Sequence, residues 1–167
     1  VVRLAADTLE RTGLGQPPGT ELEVTAGAAW FLEAGPVAIW RIALPDGAAE
    51  LAAQLDQAVT GSGLAVARPD VAFLATSNGD DPGLPQFLTR VGLQEGVSEQ
   101  LVDLDSLVAI EADGEHVYWL GDRNLSRMSV DGGCIETREQ GGDSLLIANA
   151  ADGIVVATGG FIALVER

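Results

Sequence analysis

The strongest constraint on this chain is the rhythm with which short apolar runs and tight turns alternate. The middle of the sequence shows it best. Leu107–Glu111 is an apolar run, Ala112-Asp113-Gly114 a turn, and His116–Leu120 a second run. Gly121–Asn124 then loops to Leu125–Val130, and Asp131-Gly132-Gly133 turns into Cys134–Glu139. Runs of this length bounded by Gly, Asp and Asn read as strands joined by hairpin turns. The expected structure is an antiparallel meander of four strands. The 21 glycines and 7 prolines are spread along the chain rather than gathered in one linker, which extends the same punctuation to both ends. The chain is expected to be all-β, with many short strands.

The unit recurs imperfectly. Upstream, Ala28–Leu32, Ala38–Leu44 and Ala49–Leu55 repeat the order of runs and turns, and so do Gly63–Ala67, Val71–Ala75 and Gln86–Leu93. Downstream, Leu145–Asn149, Ile154–Thr158 and Phe161–Val165 repeat its first three steps. One position marks the register. Arg3, Arg41, Arg90 and Arg127 are each followed by an apolar residue and, four or five residues on, by an acid: Asp7, Asp46, Glu95 and Asp131. The intervals are 38, 49 and 37 residues, the long one holding the insertion Thr76–Pro85. A period near 40 with four strands per unit is the signature of propeller blades, each too small to bury its apolar faces alone.

The expected fold is therefore a β-propeller of about four blades, each a four-stranded antiparallel meander, forming a partial ring. Residues 22–57, 58–105 and 106–142 make one blade each. Residues 1–12 end a blade, and 143–167 form an incomplete one. A β-sandwich is the alternative, since it too has many short strands. Within the first blade, Leu51, Leu55 and Val59 fall at helical spacing, but position in the repeat favours a strand over Ala48–Val59. Residue 1 is Val, and the chain is read as part of a larger ring. An open arc would leave edges and faces for self-association.

Asp113-Gly114-x-x-Val117-Tyr118-Trp119, followed by Arg127-Met128 and Asp131-Gly132-Gly133, resembles the blade motif of YWTD-like β-propellers. It also resembles bacterial repeat proteins in which a DGxxVYW pattern recurs. The resemblance covers residues 106–140 and dilutes elsewhere. Trp30-Phe31 and Phe73 stand where Tyr-Trp would fall in their units, and Val155-Val156 has no aromatic. Leu120-Gly121 replaces the Thr-Asp of the motif. The resemblance implies an architecture, with the Asp-Gly turn joining the third and fourth strands, and not a receptor activity.

Charge removes whole classes of function. Nine Arg and no Lys face 25 acids, a net charge of −16 and a pI near 4.1. Nucleic acid and anionic lipid are polyanions, so neither is an expected partner. No apolar run approaches the ~20 residues that cross a bilayer, so no membrane insertion is expected. Cys134 is the only cysteine and is read as a buried free thiol. His116 is the only histidine, which excludes a His-rich metal site and leaves it a rim residue. The recurring arginines are expected to pair with the turn acids.

The insertion Thr76–Pro85 is the main departure from the repeat, and loops on a repeat scaffold carry binding. Asn78, Asp80 and Asp81 in that loop, with Trp40 and Trp119, are the candidate binding residues for a peptide, another protein or a glycan. The loop acids, with Asp103 and Asp105, would suit Ca²⁺ as hard oxygen ligands, although their spacing is not that of an EF-hand. No cofactor, catalytic residue or metal ligand is expected. The first functional reading is a non-enzymatic binding or scaffold module outside the cytoplasm. The alternatives are a propeller-type lyase or hydrolase, with acids and His116 at one end of the channel, and a Ca²⁺-dependent binder.

Overall fold

The computed structural model describes residues 2–4, 11–13, 21–25, 27–34, 36–45, 47–55, 60–78, 85–139, 144–150, 153–158 and 162–166. A two-stranded pair comes first, β1 (Val2–Leu4) with β2 (Arg11–Gly13). The first full sheet is β3 (Glu21–Thr25), β4 (Ala28–Ala34), β5 (Val37–Ala43) and β6 (Ala49–Gln54). The second is β7 (Thr60–Arg68), β8 (Val71–Ser77), β9 (Gln86–Gly92) and β10 (Ser98–Leu104). The third is β11 (Ala109–Ala112), β12 (His116–Leu120), β13 (Asn124–Ser129) and β14 (Glu136–Glu139). The last is β15 (Ser144–Ala150), β16 (Gly153–Thr158) and β17 (Ile162–Glu166).

Within each sheet the strands lie in chain order and every neighbouring pair is antiparallel. The first strands of successive sheets pack together: β3 on β7, β7 on β11, β11 on β15. Four sheets thus follow one another around an axis lined by their first strands, in the manner of a partial four-bladed propeller. The sandwich alternative, two stacked layers, does not describe this arrangement.

The reason is visible in the side chains. A strand with one wet face alternates apolar and polar residues, whereas these strands are apolar at consecutive positions. In β4, Trp30 and Leu32 face the second sheet, while Ala29 and Phe31 face the opposite way with Ile42. In β8, Ala72 and Leu74 join the layer shared with the first sheet, and Phe73 and Ala75 join the layer shared with the third. In β12, Val117 and Trp119 face back, Tyr118 and Leu120 forward. The second and third sheets are each the shared wall of two cores, and away from the register shifts in β6, β7 and β10 parity assigns a residue to its layer.

The sheet at the end of the arc has one covered face. Ile147, Ile154 and Val156 are buried, but Leu146, Ile162 and Leu164 are exposed. The register aligns Leu146 with Ala157 and Ile162, and Ala148 with Val155 and Leu164, so the outward face of this sheet is apolar in two cross-strand rows.

The strand expected over 48–59 is present over Ala49–Gln54, and residues 56–59 lie outside the described residues. One local expectation changes. The insertion begins later than the sequence suggests. Thr76 and Ser77 belong to β8, and Thr76 is buried with its hydroxyl 2.6 Å from that of Thr89 on β9.

Candidate functional site

The first strands β3, β7 and β11 border an open cleft of about 400 Å³ on the axis. Its charged side chains are Glu21 and Glu23 from β3 and Glu111 from β11. Register puts the β3 carboxylates there. Glu21 pairs with Leu32 and Glu23 with Trp30, so both share the face that packs toward the second sheet. Glu111 ends the apolar run of the third repeat, opposite Tyr118.

Glu23 is half-buried, and its carboxyl is pushed up to about 7 from the ordinary 4.5. Burial is the larger cause, because it removes water from the carboxylate, and the negative charge of Glu111 adds to it. A carboxyl that titrates near neutral pH beside a second carboxylate can give and take a proton under working conditions.

The third wall depends on a glycine. Gly63 has φ +63° and sits at an irregularity in the β7–β8 register. A Cβ there would stand 2.9 Å from Ile110 Cγ2 and 3.2 Å from Leu107 Cδ2. The absence of a side chain lets β7 and β11 approach while the cleft stays open.

A second cleft, of about 450 Å³, lies between the end of β10 and the third sheet. Asp103, Asp105 and Asp122 border it, and Trp119 forms part of its wall. Its two loops are tied by the Asp122 main-chain N–H donating to Ser106 Oγ at 3.1 Å.

The residues singled out in the sequence fall in separate places. Trp40 lies on the far face of the first sheet, half-buried, its Nε1–H donating to Glu33 Oε2 at 3.1 Å. Trp119 is buried in the layer between the second and third sheets. The two tryptophans therefore belong to different layers. Asn78 is exposed at the end of β8, and Asp80 and Asp81 lie outside the described residues. His116 stands in β12, its ring centroid 6.0 Å from that of Tyr118, and is not among the residues of the axial cleft. The hydrolase alternative thus loses its histidine, and the carboxylates of the axial cleft are not the acids that the sequence singled out. Cys134 is exposed rather than buried. The strand it was expected to open begins only at Glu136, which leaves it in the loop.

The arginines do pair with acids, but mainly across strands. Arg41 meets Glu50, Arg90 meets Glu99 and Arg127 meets Glu136, each at 2.5–2.8 Å and each between the third and fourth strands of a sheet. The turn acid Asp131 instead receives Arg68 of the neighbouring sheet at 2.6 Å. Arg127 also contacts the Tyr118 hydroxyl, which donates to Asp113 Oδ2 at 2.9 Å. Among the described residues no group of three or more His, Cys, Asp or Glu could hold a metal ion, and no helix is long and apolar enough to cross a membrane.

Sequence reasoning missed Glu23 and Glu111. The available signal was position: each acid interrupts the first strand of its unit, and first strands line the axis of such a fold.

No family model matches the sequence, and neither does any curated protein sequence. The likeness to YWTD-type repeats is accordingly one of architecture. Solved structures carry the same architecture. A gluconolactonase from Xanthomonas campestris matches 96% of this chain and 63% of its own at 12% identity, with a TM-score of 0.65. The chain therefore spans just under two thirds of that protein's length. Regucalcin from Agrobacterium tumefaciens, described as a calcium-binding protein, matches 78% of this chain and 49% of its own at 18% identity and TM-score 0.50. A nidogen/laminin complex structure matches more loosely, with a TM-score of 0.43 at 10% identity. The first two likenesses establish a shared propeller-like fold, and that fold by itself settles no function.

Proposed function

We propose that the axial cleft is a hydrolytic site acting on a small cyclic ester, with Glu23 and Glu111 as its acid–base pair. The observation that carries this reading is the pairing itself: one carboxyl with its titration raised to about 7 beside a second carboxylate in a cleft of substrate size. The fold shared with a gluconolactonase supports a lactone as the substrate class. This replaces the first sequence reading, a non-enzymatic module, with its hydrolase alternative.

The chemistry balances within the pair. Glu111, ionised, takes a proton from a water molecule as the water oxygen bonds to the lactone carbonyl carbon. Glu23, protonated, gives its proton to the ring oxygen as the carbon–oxygen bond breaks. The product is a hydroxy acid, and the pair again holds one proton, now on Glu111, which passes back to Glu23. General acid–base action of this kind contributes about 10²–10⁴-fold.

The test is proton release from δ-valerolactone across pH 5–9, with Glu23→Gln and Glu111→Gln as variants. The expected profile falls as pH rises through about 7, where Glu23 loses the proton it must donate. Either variant is expected to lose roughly 100-fold or more. Hydrolysis at the buffer rate by the native chain, or full activity in both variants, overturns the proposal.

The cleft beside Trp119 supports a second reading, a binding module, because its rim carries three aspartates over an aromatic wall. Its test is calorimetric titration with an arginine-rich extended peptide. Retained heat in a Asp103→Asn/Asp122→Asn variant would count against it.

A further inference from the structure

We infer that the Ser62 hydroxyl is the donor that holds the substrate's carbonyl oxygen in the axial cleft, aimed there by the bulge at Gly63. This inference rests on the hydrolytic reading above and adds a residue to its site.

The bulge sets the direction of the side chain. In a regular strand Ser62 and Leu64 would share a face. Here Ser62 stands opposite Ala75 and Leu64 opposite Leu74, with Gly63 the extra residue between them at φ +63°. Ala75 belongs to the layer shared with the third sheet and Leu74 to the layer shared with the first, so the extra residue puts Ser62 and Leu64 on opposite faces. Leu64 and Ile110 are buried, and Leu107 packs against the same core as Ile110. Ser62 is exposed. What the β7 wall offers the cleft is therefore a hydroxyl. A side chain at 63 would meet Ile110 and Leu107, so the extra residue of this bulge has to be glycine.

The chemistry leaves one role unfilled. As the water oxygen bonds to the lactone carbon, an electron pair of the C=O bond moves onto the carbonyl oxygen, and it returns when the ring carbon–oxygen bond breaks. Glu111 is occupied with the water and Glu23 with the ring oxygen. The charge on the carbonyl oxygen needs a donor, and carboxylates repel it. β3 brings Glu21 and Glu23 to the cleft and β11 brings Glu111, whereas β7, packed between them, brings Ser62, Gly63 and Leu64 and no charge. Apart from the carboxyls, Ser62 carries the one side-chain donor among the described lining residues. Its hydroxyl donates a hydrogen bond and keeps its proton, so the balance of the reaction is unchanged.

The experiment compares the native chain with Ser62→Ala and Ser62→Thr on δ-valerolactone and on its thionolactone, in which sulfur replaces the carbonyl oxygen, with Glu23→Gln to define background. Ser62 is exposed, so neither variant disturbs a packed core. Ser62→Ala is expected to lower kcat for the lactone by about tenfold or more. KM should be nearly unchanged, and the rate should still fall as pH rises through about 7. Ser62→Thr, which keeps the hydroxyl, should recover most of the rate. Sulfur is a weak acceptor, so the thionolactone should lose far less than the lactone when the hydroxyl is removed. A purely structural role for Ser62 would slow both substrates alike. Glu23-dependent hydrolysis that Ser62→Ala leaves at the native rate overturns this inference and leaves the hydrolytic reading standing. So does a loss that is equal for the two substrates, or one that Ser62→Thr does not recover. Absence of Glu23-dependent hydrolysis of the lactone overturns both.

Discussion

Arg127 and Glu136 are direct cross-strand partners with side chains 2.8 Å apart, and the same nine-residue step joins Arg41 to Glu50 and Arg90 to Glu99. The repeat thus places one ion pair at an equivalent point of three sheets. All three pairs are largely solvated at the acid. In a double-mutant cycle with Arg41→Ala and Glu50→Ala, the coupling is expected to be about 0.2–1 kcal/mol and to shrink in 1 M salt. Urea unfolding of the four proteins at two salt concentrations checks it.

Layer assignment by parity makes a sharper prediction. Phe73 and Met128 belong to one layer, while Phe73 and Ile39 belong to different ones. Phe73 is fully buried, so Phe73→Ala is expected to cost about 3–5 kcal/mol. Combined with Met128→Ala, the loss should depart from the sum of the singles by more than about 0.5 kcal/mol. Combined with Ile39→Val, the two losses should simply add.

Glu23 gives stability a pH dependence whose sign is fixed. Its carboxyl is raised from 4.5 to about 7 in the fold, so between those values the folded chain holds more protons than the unfolded one. Stability from this group is full below pH 4.5, is lost as pH rises toward 7, and is flat beyond. Glu23→Gln should remove that decline and melt higher than the native chain at pH 8. Thermal melts at pH 5 and pH 8 provide the comparison, and a parallel decline in the variant would assign the effect to other groups.

Gly63→Ala should be damaging twice over. The positive φ penalises any side chain, by about 1–2 kcal/mol, and the new methyl would press on Ile110. Destabilisation of about 2 kcal/mol or more in urea is expected, together with reduced lactone turnover at temperatures where the variant remains folded.

The sheets were legible because their cause is local. Apolar residues at consecutive positions, cut by Asp-Gly and Gly-Gly turns, announce strands covered on both faces, and His116–Leu120 begins and ends where the sequence places it. The less regular edges moved, as where Thr76 joins β8 under cover of Thr89. Partners across a hairpin were harder to read. The arginines were matched to the nearest acid in the turn, since which residue of the fourth strand stands opposite depends on turn length and register. The axial carboxylates were out of reach for a related reason. Glu23 and Glu111 border one cleft only because the arc curves, and curvature arises from the packing of whole sheets rather than from any short segment.

The shared walls carry a consequence for how the molecule comes apart. Principal packing runs from each sheet to its sequence neighbours, with β7 at the junction of three of them. Such an arrangement behaves more like a row of leaning books than like a single keystone arch. Dismantling should begin with β15–β17, which leans on one neighbour only, and reach the central β7–β10 sheet last. Amide exchange read strand by strand would then rank the chain by its distance from the middle of the row.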